Sequence, residues 1–317
     1  MPAMNEFDLI ARLTRNLPSN PTVVTGPGDD CAVLDLGLPD RWVLFKTDAV
    51  VEGVHFDPGT APEKVGHKAL GRCLSDVAAM GGWPSSAVVT LGLPRHWEPE
   101  YLERVYAGMG ALARRYQVAL CGGETTQNPS GLLLSIGLMG TVGKAQCVRR
   151  AGAEVGDALF VTGELGGSLA GRHLEFEPRL VEARWLVERF KPHAMIDLSD
   201  GLAGDLPHLL RASGVGAELL SEAIPISRAA REQARRPADA SPPPKPPRVA
   251  ALTDGEDFEL LFTVPPRLAT ALLDAWKREF PAVRLSCIGK ITAGTALSLR
   301  DRAGCHALAL HGYTHFA

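Results

Sequence analysis

The 317-residue sequence lacks the features that mark nucleic-acid-binding and membrane-spanning proteins. Its 33 Lys and Arg residues are slightly outnumbered by 36 Asp and Glu residues, the formal net charge is −3, and no Lys/Arg tract is present. This balance predicts no nucleic-acid partner. The most apolar stretch, residues 131–143, is too short to span a bilayer and contains glycine, so we expect a buried strand and no membrane association.

Cysteine pairs and a leader sequence are missing as well. None of the six cysteines forms a C-x-x-C pair, and their spacing is typical of neither a zinc site nor a disulfide scaffold. The N-terminal residues show no basic segment followed by an apolar core, which disfavours a signal peptide. These observations predict reduced thiols in a cytoplasmic protein.

Three common catalytic loops do not occur in the sequence. Without a G-x-x-x-x-G-K-[ST] loop the chain is not a P-loop enzyme, and without G-x-S-x-G a hydrolase serine is not indicated. No G-x-G-x-x-G opens a helix after a predicted strand, which argues against a Rossmann dinucleotide site. Residues 163–167 (GELGG) come closest, and we interpret them as a tight turn.

Strands and helices alternate along the chain and predict an α/β protein with two domains, 1–148 and 149–317. In the first half, the patterns predict helices at 5–17, 62–80 and 99–116 and strands at 31–36, 42–49, 86–93, 118–121 and 132–142. In the second half, they predict helices at 179–190, 202–212 and 267–280 and strands at 157–162, 194–198, 215–220 and 258–264, with short strands near 284–290, 296–300 and 306–310.

A proline-rich segment at about 238–248 interrupts the second half. Proline removes backbone donors and disfavours a helix in the preceding residue. The segment is either a polyproline ligand for a partner domain or a solvated loop. The loop is favoured, because the segment separates a predicted helix from a predicted strand of one domain.

Acidic and hydroxyl side chains recur at the ends of the predicted elements. Five separated segments carry them: GDD at 28–30, TD at 47–48, SD at 75–76, GGETT at 122–126 and IDLSDGL at 196–202. Each alone is explained by a helix cap or a turn. Most of them flank strand ends, where loops of an α/β sheet meet on one side. Because Mg²⁺ prefers oxygen ligands and binds phosphates through one or two carboxylates, the set predicts a multi-metal polyphosphate site.

Taken in order, these segments resemble the thiamine-monophosphate kinase family of the aminoimidazole-ribotide-synthetase-like ATP-binding superfamily. The matching segments are EFDLI at 6–10, GPGDDCA at 26–32, TD at 47–48 with HF at 55–56, LSDVAAMG at 74–81, GGETT at 122–126, IDLSDGL at 196–202, GEDFEL at 255–260 and GYTHF at 312–316. Any one of them is a weak signal. The ordered set covers nearly the whole chain and is specific.

The resemblance implies an aminoimidazole-ribotide-synthetase-like fold. Its N-terminal mixed-sheet domain would pair with a second copy into a dimer barrel, and its C-terminal α/β domain would complete the substrate cleft. The implied activity is ATP-dependent phosphorylation of thiamine monophosphate to thiamine diphosphate by a homodimer that uses several Mg²⁺ ions. A requirement for K⁺ is left open.

The resemblance also carries roles onto single positions. Those implied for Mg²⁺ are Asp30, Thr47, Asp48, Asp76, Glu124, Asp197 and Asp200. Those implied for ATP are Gly123, Glu124, Arg150 and Ser199. Those implied for thiamine monophosphate are His55, Glu256, Leu310 and Tyr313. From spacing alone, His55 would be a loop residue with no special role.

Three positions depart from the family pattern. Lys46 stands where many relatives carry a metal-binding serine or threonine, so its ammonium either replaces the charge of one cation or points away from the site. Glu124 replaces an aspartate and is one methylene longer. Leu310 stands where some relatives place a tryptophan, and Tyr313 would compensate by stacking. These departures leave the number of metals and the acceptor affinity open.

The implied chemistry needs no general base, because the second pKa of a phosphate monoester is about 6 and the acceptor is already ionised at neutral pH. We therefore expect direct in-line transfer without a phosphoenzyme. Two alternatives remain: an aminoimidazole-ribotide-synthetase-like ATP-dependent ligase, and a nucleotide-binding homologue without catalytic activity.

Overall fold

The computed structural model describes residues 6–240, 243–309 and 311–314, and across these residues the strands form two sheets. The predicted α/β class is confirmed, since helices pack on both sheets. Leu310 lies outside the described residues, as do residues 315–316 of the C-terminal motif.

The first sheet has six strands in the order β1-β2-β3-β6-β4-β5. The strands are β1 (Val23–Thr25), β2 (Ala32–Leu34), β3 (Arg41–Val51), β4 (Trp83–Leu93), β5 (Ala119–Gln127) and β6 (Leu133–Gly143). The helices of this part are α1 (Glu6–Thr14), α2 (Pro62–Ala79) and α3 (Pro99–Arg115). Among the described residues of this sheet, β4 and β5 are the only neighbouring strands that run parallel, because helix α3 carries the chain back between them.

Helix α2 is the central element of the first half. Its apolar residues face the sheet, and Gly81 ends it in the left-handed conformation (φ 69°) that the sequence predicts for the Gly-Gly pair. Helix α3 crosses α2 so closely that a Cβ on Gly108 would lie 2.0 Å from the carbonyl oxygen of Glu63. Glycine is therefore required there by the contact between the two backbones.

The second sheet has seven strands in the order β13-β12-β9-β11-β7-β10-β8. The strands are β7 (Ala158–Thr162), β8 (Ala194–Asp197), β9 (Gly216–Leu220), β10 (Leu260–Val264), β11 (Leu285–Thr292), β12 (Leu297–Asp301) and β13 (Gly304–Ala307). The helices are α4 (Leu180–Phe190), α5 (Leu202–Ser213), α6 (Arg228–Gln233), α7 (Pro247–Thr253) and α8 (Ala269–Glu279).

The two sheets share a hydrophobic core. Leu74 and Val77 of α2 belong to the same buried cluster as Leu186 of α4 and Phe262 of β10. A second cluster lies within the second half, between its sheet and α5. Because the shared cluster fixes the first sheet against the second, side chains from the two sheets are held at a constant distance from one another. The boundary that we place at 148/149 stays a prediction.

Several stretches differ from the sequence-based prediction, among them β1 (Val23–Thr25), which was not predicted. Strand β5 continues to Gln127 instead of ending at residue 121, because the GGETT segment pairs with β4. Helix α6 corresponds to the helix that was predicted, without bounds, ahead of the proline-rich segment. Helix α7 begins at Pro247, inside the predicted loop, since proline is compatible with the first turn of a helix. Residues 238–240 and 243–246 contain neither helix nor strand, as the loop interpretation expects.

Candidate functional site

Carboxylates from three separate elements meet where helix α2 contacts the second sheet. Asp30 precedes β2, Asp76 lies in the last turn of α2, and Asp197 ends β8. One oxygen from each lies within 4.8 Å of the others, and all three side chains are buried. Of the described residues, these three form the group with the geometry of a metal site.

A hydrogen bond between the two halves positions Asp197. Ser75 Oγ on α2 donates to Asp197 Oδ2 at 2.6 Å, although the two residues are 122 positions apart in the sequence. Strand β8 is fully buried and pairs with β10, so its end cannot shift without disturbing the core. The SD and IDLSDGL motifs are therefore parts of one site.

The electrostatics of the three acids fit a bound hard cation. Burial, together with the negative charge of Asp30, raises the pKa of Asp197 to about 7. Burial likewise raises the pKa of Asp76 well above its usual range, with Asp48 and Asp197 adding to the effect against the opposing charge of Lys46. Asp30 Oδ2 is buried without a hydrogen-bond partner. Crowded, buried oxygens with one unpartnered atom are the donor set that Mg²⁺ prefers.

Lys46 points into this cluster. Its Nζ lies 3.0 Å from Asp76 Oδ1 and 3.7 Å from Asp48 Oδ1. Lys46 and Asp48 share a face of β3 because side chains alternate along a strand. The sequence left open whether the Lys46 ammonium replaces the charge of a cation or points away from the site. In the structure it points into the site and pairs with the two carboxylates.

Arg150 and Asp29 complete one side of the cluster. Arg150 Nη2 donates to Asp30 Oδ1 at 2.5 Å, and the Arg150 backbone N–H donates to Asp29. Burial, with the charge of Asp30, raises the pKa of Asp29 to about 6. The Arg150 side chain is one-fifth exposed, so it contacts both the acids and solvent.

Other predicted site residues lie elsewhere. Thr47 is exposed on the opposite face of β3, with Oγ1 3.4 Å from Ser135 Oγ. Gly123 and Glu124 are exposed on β5, which β6 and β4 separate from β3. At about 4.8 Å per strand, this places Glu124 roughly 14 Å from β3. Within one chain the structure does not bring these three residues to the cluster.

A pocket beside the cluster brings the remaining predicted residues together. Ser199, Asp200, His55, Glu256 and Tyr313 all line it. Asp200 thus lies in the pocket wall and not among the three clustered acids. The backbone N–H of Tyr313 donates to the Asp200 carbonyl, which brings the C-terminal segment to the pocket.

A buried lysine that the sequence analysis missed supports this pocket. Lys68 on α2 is fully buried, donates to Glu256 Oε2 at 2.6 Å and also donates to the His55 carbonyl oxygen. Burial lowers the pKa of Lys68, and the charge of Glu256 opposes that shift. The backbone of Glu256 has a positive φ of 63°, a conformation that is uncommon for residues other than glycine.

Arg72, also missed, lines the pocket and donates to the Ala49 carbonyl oxygen at 3.0 Å. Its pKa is raised, because the charges of Asp48, Glu256 and Asp76 outweigh the effect of burial. Lys68, Arg72 and Asp76 are spaced i, i+4, i+8 on α2. That spacing places them on one helix face and was the available sequence signal.

The acidic GEDFEL motif divides between the pocket and the interior. Glu256 faces the pocket, whereas Glu259 is fully buried, accepts from Arg172 and Arg179, and also accepts from Thr162 Oγ1. Asp257 accepts from Arg172 and from the Gly166 backbone N–H. These bonds fix the backbone that presents Glu256.

Comparison with known proteins is consistent with this arrangement. Residues 28–142 match the family model of the AIR synthase related protein N-terminal domain, and residues 154–302 match that of its C-terminal domain. Both halves of the chain are therefore of the AIR synthase related class.

Curated relatives narrow the class. Thiamine-monophosphate kinase of Rhodopirellula baltica is 42% identical over 291 residues, which is 90% of this chain and 87% of the relative. That of Escherichia coli K12 is 35% identical over 340 residues, with 99% of both chains covered. The chain belongs to the thiamine-monophosphate kinase family.

Solved structures agree with this assignment. The one described as AaThiL complexed with AMPPCP and TMP superposes with a TM-score of 0.81 at 31% identity and covers 99% of this chain and 97% of that one. Thiamine-monophosphate kinase from Stenotrophomonas maltophilia K279a gives a TM-score of 0.73 at 32% identity, covering 94% and 97%. The predicted aminoimidazole-ribotide-synthetase-like fold is confirmed. Among the described helices, none has the length and apolarity to cross a membrane.

Proposed function

We propose that this protein transfers the γ-phosphoryl group of ATP to thiamine monophosphate, giving thiamine diphosphate and ADP. The observation that carries the proposal is the meeting of Asp30, Asp76 and Asp197 from both halves of the chain, next to a pocket lined by His55 and Glu256. Family membership supports the same reaction. The ligase alternative is not favoured, since the curated relatives cited are kinases.

The chemical difficulty of this reaction is repulsion between anions. Two unit charges about 4 Å apart interact by roughly 4 kcal/mol at an effective dielectric near 20. We propose that Asp30, Asp76 and Asp197, with Asp48 beside them, hold Mg²⁺. When bound there, Mg²⁺ would neutralise phosphate charge and stabilise the charge that spreads over the transferred group.

Positively charged side chains orient the two anions. We propose that Arg150, at the edge of the cluster, contacts the nucleotide, and that Ser199 assists it. Arg72 lies between the acids and the pocket, so its guanidinium would hold the acceptor phosphate. Because the acceptor is already ionised, no side chain has to remove a proton from it.

The pocket suits a cationic aromatic acceptor. The thiazolium ring of thiamine carries a positive charge, which the Glu256 carboxylate would balance. His55 Nδ1 accepts from the Val51 backbone N–H, so a neutral ring carries its proton on Nε2. Tyr313, nearly half exposed at the pocket rim, would stack on the acceptor.

Transfer occurs directly between the two substrates in this proposal. The acceptor oxygen forms a bond to the γ-phosphorus while the bond to the β,γ-bridging oxygen breaks, and ADP leaves. A protein adduct trapped from γ-labelled ATP would overturn the direct route.

The assay that tests the function measures ADP release by the purified protein with ATP and Mg²⁺. Thiamine monophosphate should support turnover, whereas thiamine and the substrates of aminoimidazole ribotide synthesis should not. ATP binding without turnover on thiamine monophosphate would favour the non-catalytic alternative. Replacing K⁺ by Na⁺ in the same assay decides the monovalent-ion requirement.

The exposed face of the first sheet fits a homodimer. Phe45 and Met139 face each other across β3 and β6, with Val88 on β4 beside them, and each is 44–49% exposed. We propose that two copies pair through this apolar patch. The roles that the family resemblance implies for Gly123 and Glu124 stay predictions, because β5 is not brought to the acids of its own chain.

Met139→Asp should convert the dimer to a monomer, because it places a charge in the centre of the apolar patch. Sedimentation velocity should show the mass per particle halved at micromolar protein. Val155→Asp is the matched control, since Val155 is 62% exposed outside the patch and should leave the mass unchanged. A wild-type protein that is already monomeric would contradict the dimer.

A cytoplasmic location is also part of the proposal. Cys31 and Cys73 are buried as free thiols, which suits a reducing compartment, and ATP is the co-substrate.

A further inference from the structure

The Lys46 ammonium lies between two carboxylates, at a position that a bound cation would otherwise take. Its Nζ makes a 3.0 Å ion pair with Asp76 Oδ1 and a 3.7 Å ion pair with Asp48 Oδ1, while only 22% of the side chain is exposed. An ammonium has three donors and no lone pair, so it cannot be a metal ligand. It does, however, carry a compact positive charge.

The position of this charge restricts where divalent ions can bind. A Mg²⁺ ion needs its ligand oxygens at about 2.1 Å in near-octahedral geometry. Lys46 already occupies the space between Asp48 and Asp76 on the β3 side of the cluster. Asp30, Asp76 and Asp197 still offer one oxygen each within 4.8 Å of one another, and Asp30 Oδ2 has no hydrogen-bond partner.

The charge balance favours the same arrangement. Asp30, Asp76 and Asp197 are crowded together, Asp48 lies beside them through its ion pair with Lys46, and Arg150 pairs with Asp30. Lys46 supplies one positive charge to the pair of acids on the opposite side, Asp48 and Asp76. A divalent ion at the position of Lys46 would have to displace the ammonium from two carboxylates whose side chains are only 18% and 9% exposed.

We propose that the Lys46 ammonium is a built-in cation that replaces one divalent ion between Asp48 and Asp76, so that this chain binds one metal ion fewer than its serine variant. The inference rests on the proposed metal site. The inference concerns only the number of ions bound at that site. It can be wrong even though the protein is a kinase.

The test counts Mn²⁺ ions bound per chain at saturating non-hydrolysable ATP analogue, by electron paramagnetic resonance of free Mn²⁺. Lys46→Ser removes the charge and supplies a hydroxyl ligand, and we expect it to bind one more ion than the wild type. Lys46→Arg keeps the charge and should keep the wild-type count. Lys64→Ser, which removes a lysine paired with Glu175 at the surface, should also leave the count unchanged.

Equal counts in the wild type and in a folded Lys46→Ser variant would overturn the inference. No bound Mn²⁺ in any variant would instead count against the metal site itself, which keeps the two failures distinct. Circular dichroism establishes that each variant folds.

A second measurement uses the wild type alone, in case the serine variant does not fold. Amine labelling followed by mass spectrometry reports whether Lys46 becomes accessible when Mg²⁺ and the ATP analogue bind. We expect its labelling rate to stay low in both states, with Lys64, whose side chain is 39% exposed, as the reference. A rise in Lys46 labelling to the rate of Lys64 on loading would show that metal displaces the ammonium and would refute the inference.

Discussion

Asp197→Asn should lower kcat/KM for thiamine monophosphate by about 1000-fold, equivalent to about 4 kcal/mol of transition-state stabilisation. Asp197 is the member of the acidic cluster that the second sheet supplies. Asparagine keeps the size of the side chain and can still accept from Ser75, but it loses the negative charge that a divalent ion requires. Steady-state assays over a range of Mg²⁺ concentrations measure the effect.

The fold of the Asp197→Asn variant should survive, and its pH dependence provides a check. A carboxyl whose folded pKa is raised stabilises the protein fully below its ordinary pKa and loses that contribution as pH rises through the folded value. Burial raises the pKa of Asp197 from 3.8 to about 7. Metal-free wild-type protein should therefore lose stability between about pH 4 and 7, and the variant should lack this part of the loss. Thermal unfolding in a chelator measures both.

A suitable control for this experiment is Asp274→Asn, an exposed change on α8 that should leave activity and stability unchanged. Wild-type kcat/KM in Asp197→Asn at limiting Mg²⁺ would count decisively against the ligand assignment.

Lys68→Met should destabilise the protein by about 3 kcal/mol and raise KM for thiamine monophosphate about 100-fold, with a smaller change in kcat. Breaking a buried ion pair leaves the partner charge uncompensated, at a cost of about 3–5 kcal/mol. Glu256 would lose its fixed position, and the His55 carbonyl oxygen would lose its donor. The lower end of the range applies because Glu256 is 17% exposed.

The division between KM and kcat tests whether Lys68 is a positioning residue. In our account Glu256 binds the thiamine ring away from the reacting phosphate, so its displacement weakens the ground state and the transition state equally. The double variant Lys68→Met/Glu256→Gln should recover part of the lost stability, since neither buried charge is then left alone. A fall in kcat with KM unchanged would place Lys68 in the chemistry and contradict this account.

The sequence predicted the elements of the site better than their arrangement. Asp30, Asp76 and Asp197 were predicted as metal ligands because acids recur at element ends in family order; the structure brings the three together, and their role stays a prediction. Their convergence depends on contacts such as Ser75–Asp197, over 122 residues, which no local pattern contains. The fold class was likewise predicted, because hydrophobic periodicity is a local signal.

Other features were readable from the sequence but were not used. Alternation along β3 places Lys46 and Asp48 on one face and Thr47 on the other. That pattern alone predicts the Thr47 side chain on the face away from the cluster, as the structure has it, and the metal-binding role implied for Thr47 stays a prediction. Alternation does not predict that the Lys46 ammonium contacts Asp76, because that contact depends on how α2 packs on the sheet.

The GEDFEL motif shows why motif residues are not all functional residues. Its acids look alike in sequence, yet Glu259 and Asp257 are buried against Arg172, and Glu256 faces the pocket. Arg172 and Arg179 come from a segment some 80 residues earlier, so burial could not be assigned from the motif. The backbone reversal at Glu256, with its positive φ, turns one acid out while its neighbours turn in.

The central claim is that acids from both halves of the chain hold metal together. Anomalous diffraction from crystals grown with Mn²⁺ and a non-hydrolysable ATP analogue tests it most directly. The account predicts a Mn²⁺ peak within bonding distance of Asp30, Asp76 and Asp197 at once. Peaks confined to other surfaces, with these three carboxylates unligated, would contradict it.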